Sequence, residues 1–149
     1  QHQSEFFSRL RDLLAANKNI RIVGDRFLLP SELLFASGSA LLGAEGKREL
    51  DKLAGVLLDV VETIPADLEW ILRIDGHTDR IPINTPQFPS NWELSTARAV
   101  AVVRYLADQS VPQNRMVAAG FGEFFPVADG TTPAALQENR RIEIKLTDR

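Results

Sequence analysis

Between Ala44 and Ile74 the hydrophobic period changes once, from helical to extended, and that change limits the folds open to this chain. Leu50, Leu53, Ala54, Leu57, Leu58 and Val61 recur at i, i+3, i+4, i+7, i+8 and i+11. They form one apolar stripe on a helix over residues 44–62. Pro65 breaks the helix, because the residue before a proline is pushed out of the helical region. Leu68, Trp70, Leu72 and Ile74 then alternate with polar residues and end at Gly76, as a strand with one inward face does. A helix and a strand that are each apolar on one side bury that side by packing on one another.

The remaining segments extend this layer pair. Phe6, Leu10, Leu13 and Leu14 lie at helical spacing between Ser4 and Ala16. That helix is too short to stand alone in water, so it either packs on the domain or continues a helix lying upstream. Residues 1–19 read as an N-terminal helix and linker, and 20–149 as the domain proper. Ile20–Val23 and Arg26–Leu29 flank Gly24-Asp25, the signature of a hairpin whose turn needs the positive φ that glycine supplies. Pro30 closes the second strand, having no N–H for a ladder. Leu33-Leu34-Phe35 is a short apolar run leading into a loop at Ala36-Ser37-Gly38-Ser39. Pro82, Pro86 and Pro89 make residues 80–90 an irregular loop. Ser90 and Glu93 have the spacing of a capping box that starts a helix at Asn91, running to about Gln109. A strand at Met116–Ala119, a turn at Asp129-Gly130, a short helix over 133–139 and a strictly alternating strand at Arg141–Leu146 complete the chain. The expected fold is an α/β (α+β) two-layer sandwich, a small mixed sheet with two long helices on one face.

Composition excludes several functions. With 149 residues, 44% hydrophobic and 25% charged, the chain is of a size for one packed domain. A net charge of −3 with both signs interspersed gives no nucleic-acid footprint. The absence of cysteine removes disulfides and thiolate metal sites, and no His/Asp/Glu set has zinc spacing, so no metal or cofactor is expected. No segment reaches the roughly 20 apolar residues that span a bilayer. Gln1-His2-Gln3-Ser4-Glu5 has neither the basic start nor the apolar run of a signal peptide. The chain is therefore either cytoplasmic or part of a longer one. There is no Gly-x-Ser-x-Gly and no phosphate loop. Asp75 and Asp79 leave one strand end and offer no opposed acid and base, so hydrolysis is not expected.

One stretch carries candidate chemistry. Asp79 follows a strand end, where ligand groups gather in α/β sheets; a turn-capping aspartate would look the same. Asn91, Leu94 and Arg98 share a helix face at i, i+3, i+7. The free N–H groups of a helix start favour an anion, and an arginine fork beyond them adds bidentate carboxylate recognition. A carboxylate cradle beside Asp79, which would hold an ammonium, suits a zwitterion such as the free end of an amino acid. The simpler reading of Arg98 is a solvated surface arginine. His77 reads as structural, its ring bonded to nearby backbone. Trp70 and Trp92 read as packing residues rather than sugar-stacking ones.

Three separated signatures resemble the peptidoglycan-binding domain of the OmpA family. They are Leu34-Phe35 with Ser37-Gly38, the block from Gly76-His77-Thr78-Asp79 to Arg98-Ala99, and Gly120-Phe121-Gly122 followed by Asn139-Arg140-Arg141-Ile142-Glu143. Within the family the wording Asp-Gly-His-Thr-Asp-x-x-Pro-Ile … Phe-Pro-Ser-Asn-Trp-Glu-Leu-Ser is most similar to the periplasmic domain of MotB-type stator proteins. The resemblance covers about Leu33 to Leu146. It implies that Asp79 and Arg98 grip meso-diaminopimelate in the peptide stem of peptidoglycan. It implies further that Thr78, Asn91 and the Leu94 backbone contact the ligand, and that one of Arg140 and Arg141 lines the pocket. One departure is Ala36, where some members carry aspartate. The implied role is non-catalytic anchoring of an envelope protein to the cell wall, in the periplasm, with the full-length protein held in the inner membrane. A wall-anchoring part of an ion-driven motor stator is the alternative. The implied partners are peptidoglycan, membrane proteins met through an upstream region, and a second copy as a homodimer.

Overall fold

The computed structural model of the protein describes residues 2–149. Helix α1 spans His2–Leu14 and is followed by the hairpin of β1 (Arg21–Val23) and β2 (Arg26–Pro30), with Gly24 at φ +60° in its turn. Pro30 then leads into a four-residue helical turn, α2 (Ser31–Leu34), inside what reads from sequence as a plain apolar run. Helix α3 (Ala44–Val61), strand β3 (Trp70–His77), helix α4 (Asn91–Asp108), strand β4 (Met116–Gly120), helix α5 (Pro133–Asn139) and strand β5 (Arg141–Asp148) follow. The expected elements are present, each end within two residues of its expected place.

The five strands form one mixed sheet in the order β1-β2-β5-β3-β4. β3 and β4 are parallel, as the α4 crossover between them requires, and the other pairs are antiparallel. The last strand thus lies in the middle, pairing with β2 on one side and with the whole of β3 on the other.

Strand alternation sorts the two faces. Leu72, Ile74, Ile142, Ile144, Phe27 and Leu29 point to the helices and join Leu50, Leu53, Leu57, Val102 and Leu106 in one core. α1 packs on the same layer: Leu10 and Leu14 are buried, and Phe7 lies 5.2 Å from Phe27 between ring centroids. Helix α4 lies very close to the sheet because Gly76 and Gly120 face it. A Cβ on Gly76 would overlap the Ser95 carbonyl, and one on Gly120 would overlap Thr96. That close approach, together with the irregular loop after β3, sets the start of α4 beside the end of β3.

Candidate functional site

The carboxyl end of β3, the start of α4, the turn of α2 and the entry to β5 enclose a cavity of about 550 Å³. Asp79, Thr78, Asn91, Leu94, Arg98 and Arg140 line it, together with Ser31, Glu32 and Phe35. Arg98 is 5% exposed, held in place by its surroundings. Its Nε donates to the Ser39 carbonyl at 2.8 Å and Nη2 to the Ala36 carbonyl at 3.2 Å. Its guanidinium stacks over the Phe35 ring at 5.1 Å. The loop after α2 therefore fixes the fork, and Nη1 has no hydrogen-bond partner among the described residues. Asp79 accepts from the Ile81 N–H at 2.9 Å through Oδ1 and from Arg140 Nη1 at 2.7 Å through Oδ2. Arg140 also donates to Glu32 Oε2 from Nε at 2.9 Å and from Nη2 at 2.6 Å, so one guanidinium bridges two carboxylates.

These contacts tune the charges. Burial lowers the Arg98 pKa, partly offset by Glu32 and Asp79, so its charge is poorly solvated and open to an anion. Burial works against Arg140 too, but its hydrogen bonds to Glu32 and Asp79 outweigh that and raise its pKa. The cavity wall carries two carboxylates, Glu32 and Asp79, and two guanidiniums, Arg98 and Arg140.

The cavity brings together six of the seven residues anticipated from sequence, and it leaves out Arg141. That side chain is buried on the far face of the sheet, donating to Glu143 Oε2 at 2.7 Å and to the Asn139 and Phe125 carbonyls. Arg140 is the member of the pair that faces the cavity. Asn91 sits at the start of α4 as expected, but its Nδ2 donates to the Ile81 carbonyl at 3.0 Å and to Glu123 Oε1 at 3.3 Å, fastening two loops. The Leu94 N–H already donates to the Ser90 carbonyl at 3.2 Å. The Ser90 hydroxyl accepts from the Trp92 N–H and donates to the Glu93 carboxylate, so the two residues of the expected capping box meet at the start of the helix. Thr78 is buried, its N–H on the Gly122 carbonyl and its hydroxyl on the Asp79 carbonyl. Sequence reasoning missed Glu32 and Ser31. Ser31 lines the cavity, and its hydroxyl is buried with no hydrogen-bond partner among the described residues.

His77 and Trp92 differ from expectation. Neither ring nitrogen of His77 bonds backbone or any other described group. The ring stacks on Phe121 at 4.8 Å and 15°. Trp70 packs as expected, 7% exposed, whereas Trp92 is 51% exposed. Residues with no zinc-like spacing also meet in space: donor atoms of Asp75, His77 and Glu143 lie within 4.8 Å of one another. They do not suit a cation. Arg73 holds Asp75 at 2.7 Å, Arg26 and Arg141 hold Glu143 at 2.8 and 2.7 Å, and three guanidiniums surround the cluster. Asp75 is fully buried there, away from the cavity, and shares no cleft with Asp79.

The sequence profile described as the OmpA family matches residues 34–140. YtxE of Bacillus subtilis strain 168 is 35% identical over 140 residues, which are 93% of this chain and 54% of that protein. The chain thus spans about half the length of that relative. Among solved structures, a putative MotB-like protein from Desulfovibrio vulgaris superposes with a TM-score of 0.84 at 29% identity, over 99% of this chain and 95% of that one. The cell wall anchor of the type VI secretion system from Pseudomonas aeruginosa gives 0.79 at 30% identity, over 95% and 98%. Among the described residues no helix is long and apolar enough to cross a membrane.

Proposed function

The chain belongs to the OmpA family, and on that premise we propose that it binds peptidoglycan without catalysis, as a periplasmic wall anchor. The cavity takes the free end of a meso-diaminopimelate residue in the stem peptide. The observation that carries this reading is the charge balance of the wall: Glu32 and Asp79 against Arg98 and Arg140. A wall with equal numbers of each sign suits a ligand that also carries one of each. The ligand carboxylate meets the unused Nη1 edge of Arg98, and its ammonium meets Asp79 and Glu32. Arg140, bridging both acids, holds them in place. The separation of Asp75 from Asp79 supports binding rather than hydrolysis, since the two acids do not flank a common bond. Likeness to a cell wall anchor supports the anchoring role.

The same site supports a second reading, the wall-anchoring part of an ion-driven stator, favoured by the match to a MotB-like fold over 99% of the chain. A membrane helix with a proton-carrying acid in the full-length sequence separates the two.

Purified sacculi should retain the protein. Asp79→Ala or Arg98→Ala should weaken retention by roughly 2–5 kcal/mol, because each leaves a ligand charge unpaired in a partly desolvated site. In calorimetry, a diaminopimelate stem should bind more tightly than a lysine stem, which lacks the second carboxylate. Equal affinity for both stems, with unchanged retention of both variants, would overturn the assignment.

A further inference from the structure

Beside the cavity lies a second feature that the stem-peptide reading leaves unused. Trp92 and Phe124 are 51% and 58% exposed, with ring centroids 5.1 Å apart and planes tilted by 31°. Half-exposed aromatics of this size are unusual without a partner, because each leaves a large apolar face in water. The pair is a built platform. Gly122 takes a φ of +63°, and a Cβ there would sit 3.4 Å from Phe124 and 3.5 Å from Trp92. The Gly122 N–H donates to Ser95 Oγ at 3.0 Å, and its carbonyl accepts from the Thr78 N–H at 2.9 Å. The loop carrying Phe124 is thereby sewn to α4 and to the floor of the stem cavity.

Phe124 also walls a separate cavity of about 420 Å³, whose polar groups include Arg80, Glu123 and Asp129. Two links join this cavity to the first. Arg80 follows Asp79 in the chain, and Glu123 Oε1 accepts from Asn91, which lines the first cavity. An aromatic face flanked by carboxylates and a guanidinium fits a sugar ring. Such a ring has an apolar face of C–H bonds for the platform and a rim of hydroxyl and acetamido groups for the charged side chains.

We infer that the Trp92–Phe124 platform and its adjoining cavity are a saccharide subsite, which holds an N-acetylated sugar of the glycan strand while the first cavity holds the stem. This rests on the peptidoglycan reading and deepens it: the domain recognises the junction of peptide and glycan, not the peptide alone. The subsite also explains why the indole at the start of α4 is turned outward although its backbone N–H is held by the Ser90 cap.

Calorimetry of the 149-residue chain with two probes tests this. One probe is the free diaminopimelate tetrapeptide, and the other is the same tetrapeptide attached to its N-acetylglucosaminyl-N-acetylmuramyl disaccharide. The disaccharide form should bind about tenfold more tightly, the scale of one well-placed aromatic contact. Trp92→Ala and Phe124→Ala should each bring the two probes level while leaving the free tetrapeptide as in the unaltered protein. The disaccharide form should also shift tryptophan emission in the unaltered protein, and the free tetrapeptide should not, since Trp70 is buried and only Trp92 meets the sugar. Equal affinity for the two probes in the unaltered protein would overturn the saccharide subsite and leave the stem pocket standing. So would equal weakening of both probes in both variants. Failure to bind either probe would overturn both readings together.

Discussion

His77 is 3% exposed on the far face of the sheet, with Arg141, Arg26 and Arg73 nearby and Glu143 Oε1 at 3.7 Å. Burial, then the charge of Arg141, lower its pKa from 6.5 to about 4, against the opposing pull of Glu143. The unfolded chain takes up a proton near pH 6.5 that the folded chain refuses until about pH 4. This contribution to stability is therefore full above pH 6.5, falls as the pH drops toward 4, and is constant below. Its size is on the order of 3 kcal/mol. Glu143, whose pKa is lowered because Arg26 and Arg141 outweigh its burial, loses stability in the same direction at lower pH. Asp75, raised by burial over the pull of Arg73, acts oppositely. His77→Phe keeps the stack on Phe121 and should flatten the decline in urea-unfolding free energy between pH 6.5 and 4.5. A variant that declines as steeply as the parent would refute the assignment. Residue by residue, the sequence distinguished some of this. Asp79 and Arg98 stand in a recognisable motif. Arg140 and Arg141 could have been separated by strand parity, because Ile142, Ile144 and Leu146 face the core and Arg141 must share the other face with Glu143. Nothing local marks Glu32, which reaches the site only because β5 brings Arg140 to it across 108 residues.

Long elements with a clear period, α3, α4, β3 and β5, were legible because burial on one side writes itself into the spacing of apolar residues. The α2 turn was not, since four residues hold barely one helical period. The closeness of α4 to the sheet was equally hidden, because glycine leaves no apolar mark. It has a measurable consequence. Gly76→Ala drives a methyl into the Ser95 carbonyl, and Gly120→Ala drives one into Thr96. Each forces α4 outward and should cost about 1–3 kcal/mol or more. Gly55→Ala is the matched comparison. Gly55 lies on α3 with nothing within 4 Å of its would-be Cβ, so the change should stabilise by up to about 1 kcal/mol through helix propensity alone. Thermal unfolding of the three variants decides the point. Losses at Gly76 and Gly120 no larger than the effect at Gly55 would mean that the helix–sheet spacing has slack. The site depends on that spacing, because α4 carries Arg98 and β3 leads to Asp79.

At the scale of the whole molecule, the strand order places the last element of the chain in the centre of the sheet. β5 pairs with β2 through four residues and with β3 through eight, so it joins the hairpin to the βαβ unit of β3, α4 and β4. Without it, Phe27 and Leu29 on one side and Leu72 and Ile74 on the other lose Ile142 and Ile144 from between them. The facing edges of β2 and β3 would then carry unpaired backbone groups, a costly arrangement for strands at the centre of a fold. Folding must therefore wait for the final residues, and the contacts that close the sheet are long in sequence, which slows them. The binding cavity obeys the same order. Arg140, immediately before β5, bridges Glu32 and Asp79, so the site is assembled only when the last strand docks. A chain ending at Arg140 should show no cooperative urea transition and no retention on sacculi, although it contains every residue that lines the cavity. A chain beginning at Ile20 loses α1, including buried Leu10 and Leu14. It keeps all five strands and should unfold cooperatively at a lower urea midpoint, the loss being at least the roughly 2–5 kcal/mol of one large buried side chain. The contrast is the test. Cooperative unfolding of the fragment without β5 would show that the sheet closes by another route, and that the cavity does not depend on its last strand.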